Sequence, residues 1–246
     1  MNMSRPNRRE ARLGRTLAVL LALALPGAAQ AQQVLVQANV AADTLKTTFG
    51  PNRRYFGHGY VGYGLVAGAA NPGAGVRYGP YSSELRLGGR LKVRLSQTLA
   101  VHTDLAYSYL RYELAQQAAK AIPDPVQHER EAFVLHQAAA DLGLRLNYGR
   151  RGNVVGSYLD LLAGGSWVVA STHSTSEVPG PGVGSREVTE HGLPYFRRWS
   201  GSTGARLGFD RYALTARYRL SPTFTAAYGN WPELPRWVFG LELGIF

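Results

Sequence analysis

The sequence predicts an all-β chain folded as an eight-stranded, antiparallel, up-and-down transmembrane β-barrel. Three observations predict it: strict apolar/polar alternation in regularly spaced segments, connections that alternate between short and long, and a leader of the secretory type. The clearest segment is residues 84–95, where Leu85, Leu87, Leu91, Val93 and Leu95 share one parity and Glu84, Arg86, Arg90, Lys92 and Arg94 the other. Successive strand side chains point to opposite faces, so this stretch presents one hydrocarbon face and one charged face. Behind an export signal, that pattern suits lipid outside and a polar lumen inside.

The 246 residues begin with a basic run (Arg5, Arg8, Arg9, Arg12, Arg15), an apolar stretch Thr16–Leu25, a Pro26-Gly27 break and Ala29-Gln30-Ala31. This is the layout of a cleaved signal peptide, read as residues 1–31 with cleavage near Ala31. Its apolar run is too short to cross a bilayer as a helix. The chain has no cysteine, which removes a lipoprotein anchor, disulfides and thiol chemistry. The leader takes five of the 27 basic and one of the 16 acidic residues with it, so the formal charge falls from +11 to +7. The remaining cations alternate with apolar residues instead of clustering, so no nucleic-acid partner is expected. No other apolar stretch approaches membrane-helix length, and any span must be made by strands.

Eight strands follow from the alternation: Tyr55–Gly68, Ser83–Leu95, Leu99–Tyr112, Ala132–Tyr148, Val154–Ser171, Tyr195–Phe209, Tyr212–Leu220 and Arg236–Phe246. The connections Ser96–Thr98, Gly149–Asn153 and Asp210-Arg211 are short, whereas Ala69–Ser82, Glu113–Glu131, Thr172–Pro194 and Ser221–Pro235 are long. Strict alternation of the two kinds is what tight periplasmic turns and longer outer loops require. An even strand number leaves both termini on the periplasmic side, so residues 32–54 read as a periplasmic lead-in and 55–246 as the barrel.

A soluble barrel or sandwich alternates too, with the leucine row as core. Glycines on the polar face (Gly88, Gly143, Gly164, Gly204, Gly208) argue for a crowded lumen that needs small residues beside long charged ones. Aromatics on the apolar face gather at strand ends: Tyr107, Tyr109, Trp167, Trp199 and Trp237 toward the long loops, and Tyr148, Phe209, Tyr212 and Phe246 toward the short turns. Trp199 and Phe209 are separated by a rise of roughly 23 Å on a tilted strand, close to an apolar band of about 25 Å.

On the leader, the eight alternating strands, the loop order and the terminal Phe246, the chain resembles the small outer-membrane β-barrel proteins of the OmpA/OmpX type, including the PorT-like outer membrane protein β-barrel domains. The resemblance implies a place in the outer membrane of a Gram-negative bacterium, among its lipid. It also implies dependence on periplasmic chaperones and the outer-membrane assembly machinery, and for the PorT-like members an accessory role in envelope secretion. One departure stands out: Trp237, Phe239, Leu241, Leu243 and Ile245 form the last apolar row, which leaves Phe246 on the opposite parity. Either a bulge near Gly244 restores its register or the closing signal is read differently.

If the apolar rows face lipid, the lumen receives Glu84, Arg86, Arg90, Lys92, Arg94, Asp104, Asp141, Arg145, Asp160, Arg198, Arg206, Arg217, Arg219 and Glu242. The expected arrangement is a cross-strand ion-pair plug, with a narrow anion-preferring channel as the alternative. A lipid-modifying enzyme is a third reading: His102 and Asp104 share a strand face, with His136, Ser108 and Asp141 in the region. No serine completes a triad, so no catalytic residue, no cofactor and no metal site is assigned. His173 and His191 read as exposed loop residues. His58 and Tyr60, set among Gly57, Gly59, Gly62 and Gly64, read as part of a curved strand with aromatic partners. Among the long loops, Glu113–Ile122 is expected to form a short helix or a hairpin extension, Pro179–Gly184 a flexible stretch, and Trp231 between two prolines a stiff contact at the barrel rim.

Overall fold

A computed structural model describes residues 47–149, 152–177, 184 and 186–246. The expected signal peptide, the lead-in before residue 47 and all of Pro179–Gly184 except its last residue lie outside the described residues. The described residues form nine strands: β1 (Tyr55–Ala67), β2 (Ser83–Arg94), β3 (Leu99–Glu113), β4 (Arg130–Tyr148), β5 (Ser157–Glu177), β6 (Arg186–His191), β7 (Trp199–Phe209), β8 (Tyr212–Arg219) and β9 (Trp237–Ile245). Eight of them close an antiparallel ring in the order β1-β2-β3-β4-β5-β7-β8-β9, with β9 returning to β1. The ring is the predicted up-and-down barrel, because each strand after the first pairs with its predecessor in the ring.

The remaining strand, β6, pairs among the described residues with β5 alone. It lies within the expected loop Thr172–Pro194. Its residues are all exposed and nearly all polar, so it has no apolar row to announce it. β5 accommodates both neighbours by changing partner: from Ser157 to Trp167 it pairs with β7, and from Thr172 to Glu177 with β6. A bulge marks the change. The β4 register jumps between His136, opposite Ala170, and Gln137, opposite Val168, leaving Val169 as the extra residue. β7 also starts later than expected, since Tyr195 and Phe196 turn away from the wall into an apolar cluster.

The barrel wall has the polarity the alternation predicts. Leu105, Leu142, Leu161, Leu207, Leu214 and Leu241 face outward and are exposed, while Arg90, Asp104, Arg145, Asp160 and Arg206 are buried inside. Toward the long loops this order reverses. Along β3 the outward row passes from Leu105, Tyr107 and Tyr109 to Arg111, and the inward row from Asp104 and Ser108 to Leu110 and Tyr112. The upper strand ends therefore enclose a water-type core: Leu110, Tyr112, Phe133 and Leu135 pack with Val66, Leu114, Ile122, Phe196, Phe224 and Leu234. The alanine-rich Glu113–Ile122 segment forms no helix. Its backbone pairs with the first long loop instead, through Ala115 N–H to Gly75 O and Ala121 N–H to Gly73 O. As a hairpin extension it adds one step, where the Leu114 N–H meets Glu131 O.

Candidate functional site

The glycines of the polar face make the lumen's contents fit. A Cβ on Gly143 would lie 2.1 Å from the His102 ring, and one on Gly208 2.1 Å from the Tyr158 ring. Into the space so freed the strands place a layer of three arginines and three carboxylates. Arg90 donates two hydrogen bonds to Asp104, at 2.8 and 2.9 Å, and its Nη2 is 2.8 Å from Glu242. Arg145 forks onto Asp160 at 2.7 and 2.8 Å. Arg206 bridges the two aspartates, donating to Asp160 and to Asp104, each at 2.9 Å. All six side chains are nearly or fully buried. Fork-shaped, charge-matched pairs are the arrangement that makes burial of these ions tolerable.

A second layer lies toward the long loops. Asp141 accepts from Arg86 and Arg217, and Glu84 accepts from Ser108 and approaches Arg86 at 3.7 Å. This layer too balances, two cations against two carboxylates. Above it a cavity of about 50 Å³ is walled by Gln137, Ser166, Ser200, Ser202 and the arginines, room for a few water molecules.

Both mouths of this charged column are closed. At the long-loop end the apolar core forms a lid, in which Trp231 packs on Tyr195, Phe224 and Tyr228 at ring distances of 4.9–5.1 Å. Trp231 therefore docks on aromatics of the lid loops instead of on the barrel rim expected for it. Deeper in the lid, Glu131 accepts hydrogen bonds from Gln116 and His173 and pairs with Lys120. Burial acts to raise its pKa, but these donors outweigh it and hold the carboxyl below its ordinary value. At the short-turn end Phe56, Val155, Tyr158 and Ala213 form a smaller apolar cluster, and the edge of Phe246 meets Phe56 at 5.3 Å.

Several residues sit elsewhere than the sequence suggests. Arg198 is not buried in the lumen: it lies one residue before β7, its carbonyl still accepting from the Val168 N–H of β5, and it is exposed. Lys92 and Arg94 point inward but reach the end of the lead-in, donating to the carbonyls of Pro51 and Asn52. Arg219 finds its carboxylate in a loop, Glu233, at 2.6 Å. Phe246 is not an outward aromatic: the β1–β9 register runs unbroken to Ile245, no bulge occurs at Gly244, and the ring packs on Phe56 and His58. The other eight aromatics lie on the outer face. Trp167 stacks on Trp199 at 5.8 Å, and Phe209 and Tyr212 are directly paired across strands.

The His102–Asp104 pair forms, with Nδ1 2.8 Å from the carboxylate, but Nε2 faces Asp160 at 3.3 Å inside the buried layer. His136 is on the outer face, bonded to the Tyr107 hydroxyl, and Ser108 is held by Glu84. These four residues do not converge on a reacting atom. His173 is buried on Glu131, whereas His191 is exposed. His58 stacks on Phe56 of its own strand at 4.9 Å and meets Phe246 edge-on, whereas the partner of Tyr60 is the Arg90 guanidinium and not the cross-strand aromatic expected. Sequence reasoning missed Glu131, Glu233, Arg197 and the lid as a unit. Glu131 draws on Gln116 and Lys120 of its own loop and on His173 of β5, and Glu233 on Thr223 and Arg219 across one connection; polar residues in loops have no period that would announce such contacts.

No family model and no curated protein sequence matches this chain. Among solved structures it is similar to Ail, the attachment invasion locus protein of Yersinia pestis, at 9% identity and a TM-score of 0.35, over 77% of this chain and 97% of that one. The structure of Ail with the heparin analogue sucrose octasulfate matches at 9% identity and 0.31, with the same coverage. The N-terminal β-barrel domain of Pseudomonas aeruginosa OprF matches at 13% identity and 0.27, over 76% of this chain and 95% of that domain. The barrel itself rests on the strand pairing described above, independently of these likenesses.

Proposed function

We propose that this chain is a closed outer-membrane barrel of a Gram-negative envelope that acts through its surfaces rather than through its lumen. Its role is structural or binding, including service as an accessory to envelope transport, and it catalyses no reaction. One observation carries this reading: a charge-balanced column of buried ion pairs sits between two apolar caps, inside a wall whose outer face is apolar. An outward face of exposed leucines is stable only against hydrocarbon. A conducting pore needs a continuous wet path with weakly held sites. Here the path is interrupted by fork-bonded pairs in which Arg90, Arg145 and Arg206 each already have a carboxylate. A hydrolytic site needs a nucleophile and an accessible base, and His102 is enclosed between two aspartates.

The test is to refold the chain without its leader into detergent and then into planar bilayers. Heat-modifiable migration on gels and the absence of ion current are expected. Sustained anion-selective steps would overturn the closed-lumen reading, and a folded chain that stays monodisperse in water without detergent would overturn the membrane reading.

A further inference from the structure

The partner change of β5 leaves a gap in the outer surface. Below it β7 ends at Trp199, opposite Trp167; above it β6 ends at His191, opposite Thr172. Between these points the chain from Gly192 to Arg198 dives inward to bury Leu193, Tyr195 and Phe196 and then returns to the surface. The result is a groove of about 460 Å³ whose lining includes Trp167, Val169, Leu193, Phe196, Arg197 and Arg198. Its lower lip is the stacked, exposed Trp167–Trp199 pair. Its floor includes the bulged Val169, exposed and continuous with the apolar outer wall.

Both arginines are exposed, and among the described residues neither guanidinium is ion-paired, although the groove lies within a protein that pairs most of its charges. Two adjacent cations above an apolar floor, at the level of a tryptophan girdle, make a site with two different halves. Hydrocarbon satisfies the floor, and an anion with several oxygens satisfies the forked donors. A soluble anion would leave the floor exposed to water, and a neutral lipid would leave the guanidinium pair without acceptors. We infer that this groove seats the phosphorylated headgroup of a lipid in the surrounding leaflet, with its acyl chain on the Val169 side and its phosphate on Arg197 and Arg198. The inference rests on the outer-membrane reading above and gives that reading one defined lipid contact.

The full barrel, carrying Trp237→Phe so that Trp167 and Trp199 dominate the lipid-facing emission, is inserted into phosphatidylcholine vesicles doped with brominated phosphatidic acid. Quenching should saturate at a low phosphatidic acid fraction. Arg197→Gln combined with Arg198→Gln should weaken the apparent affinity about thirtyfold, the attraction two interfacial cations supply to an anionic headgroup. Arg130→Gln, an exposed arginine outside the groove, should leave it unchanged. Equal weakening by Arg130→Gln, or no weakening by the pair, overturns the site. Equal quenching by brominated phosphatidylcholine overturns phosphate recognition, and efficient competition by inorganic phosphate overturns the lipid as its source. A chain that shows neither heat-modifiable migration nor quenching by either lipid has not inserted, and that result overturns the outer-membrane reading itself, taking the groove's ligand with it.

Discussion

Replacing Asp160 by Ala removes the carboxylate that Arg145 grips with two hydrogen bonds, that Arg206 reaches with a third, and that lies 3.3 Å from His102. Arg145 and Arg206 are fully buried, and no other carboxylate touches Arg145 among the ion pairs described. Arg206 keeps Asp104 and Glu242. One arginine is therefore stranded and a second weakened, inside a fully buried layer. Removing one partner of a buried pair costs about 3–5 kcal/mol, which moves the unfolding equilibrium on the order of a hundredfold to several thousandfold. Urea titration in detergent, read as loss of the fast-migrating folded band, measures it. The double variant Asp160→Leu with Arg145→Met removes one charge of each sign, leaves two against two, and should recover most of the loss. A single-variant cost below about 1 kcal/mol, the value typical of exposed pairs, would mean that water reaches this layer, and the closed column would be wrong.

Three further outcomes follow from the geometry. Trp231→Ala should open the lid, increasing protease cleavage within 192–198 and 221–235 while the barrel band survives, since the ring contacts of Trp231 are all to loop aromatics; its cost is about 2–3 kcal/mol for a partly buried ring. Gly143→Ala should destabilise the folded band by about 1–3 kcal/mol, because its methyl meets the His102 ring, and adding His102→Ala should relieve much of that. The third concerns Glu233, which burial pushes up in pKa but which Thr223 and Arg219 together hold below its ordinary value of 4.5. A depressed folded pKa contributes stability that is complete above the unfolded value and is lost as pH falls through the folded one. Acidification below about 4.5 should therefore loosen the fourth long loop, visible as a Trp231 emission change that Glu233→Gln removes.

How much of this was legible depended on whether a residue's environment is local. The leucine and arginine rows of 84–95 carry their faces in their own spacing, so the wall, the loop order and most lumen residues could be read directly. The glycines announced crowding, and Gly143 and Gly208 are the places where it is met. Arg198 misled because it sits at the very end of the β5–β7 pairing, beside the Val169 bulge, where alternation no longer decides whether a side chain is enclosed. β6 was invisible because a strand wet on both faces has no apolar period. The lid was hidden for the opposite reason: Ile122, Phe196, Phe224 and Leu234 are scattered apolar residues from three separate loops, and only closure of the ring gathers them.

The crossover along β3, where leucine changes from the outer row at Leu105 to the inner one at Leu110, has a mechanical meaning. A smooth apolar cylinder can bob in a fluid bilayer; this one cannot travel far. Riding down by one strand repeat, about 7 Å along the chain, would drag Arg111 toward oil, and riding up would wet Leu105 and the leucines beside it. The molecule carries its own waterline, cut into the sequence at Tyr109 and Leu110, and any partner that grips the loops meets them at a fixed height above the membrane.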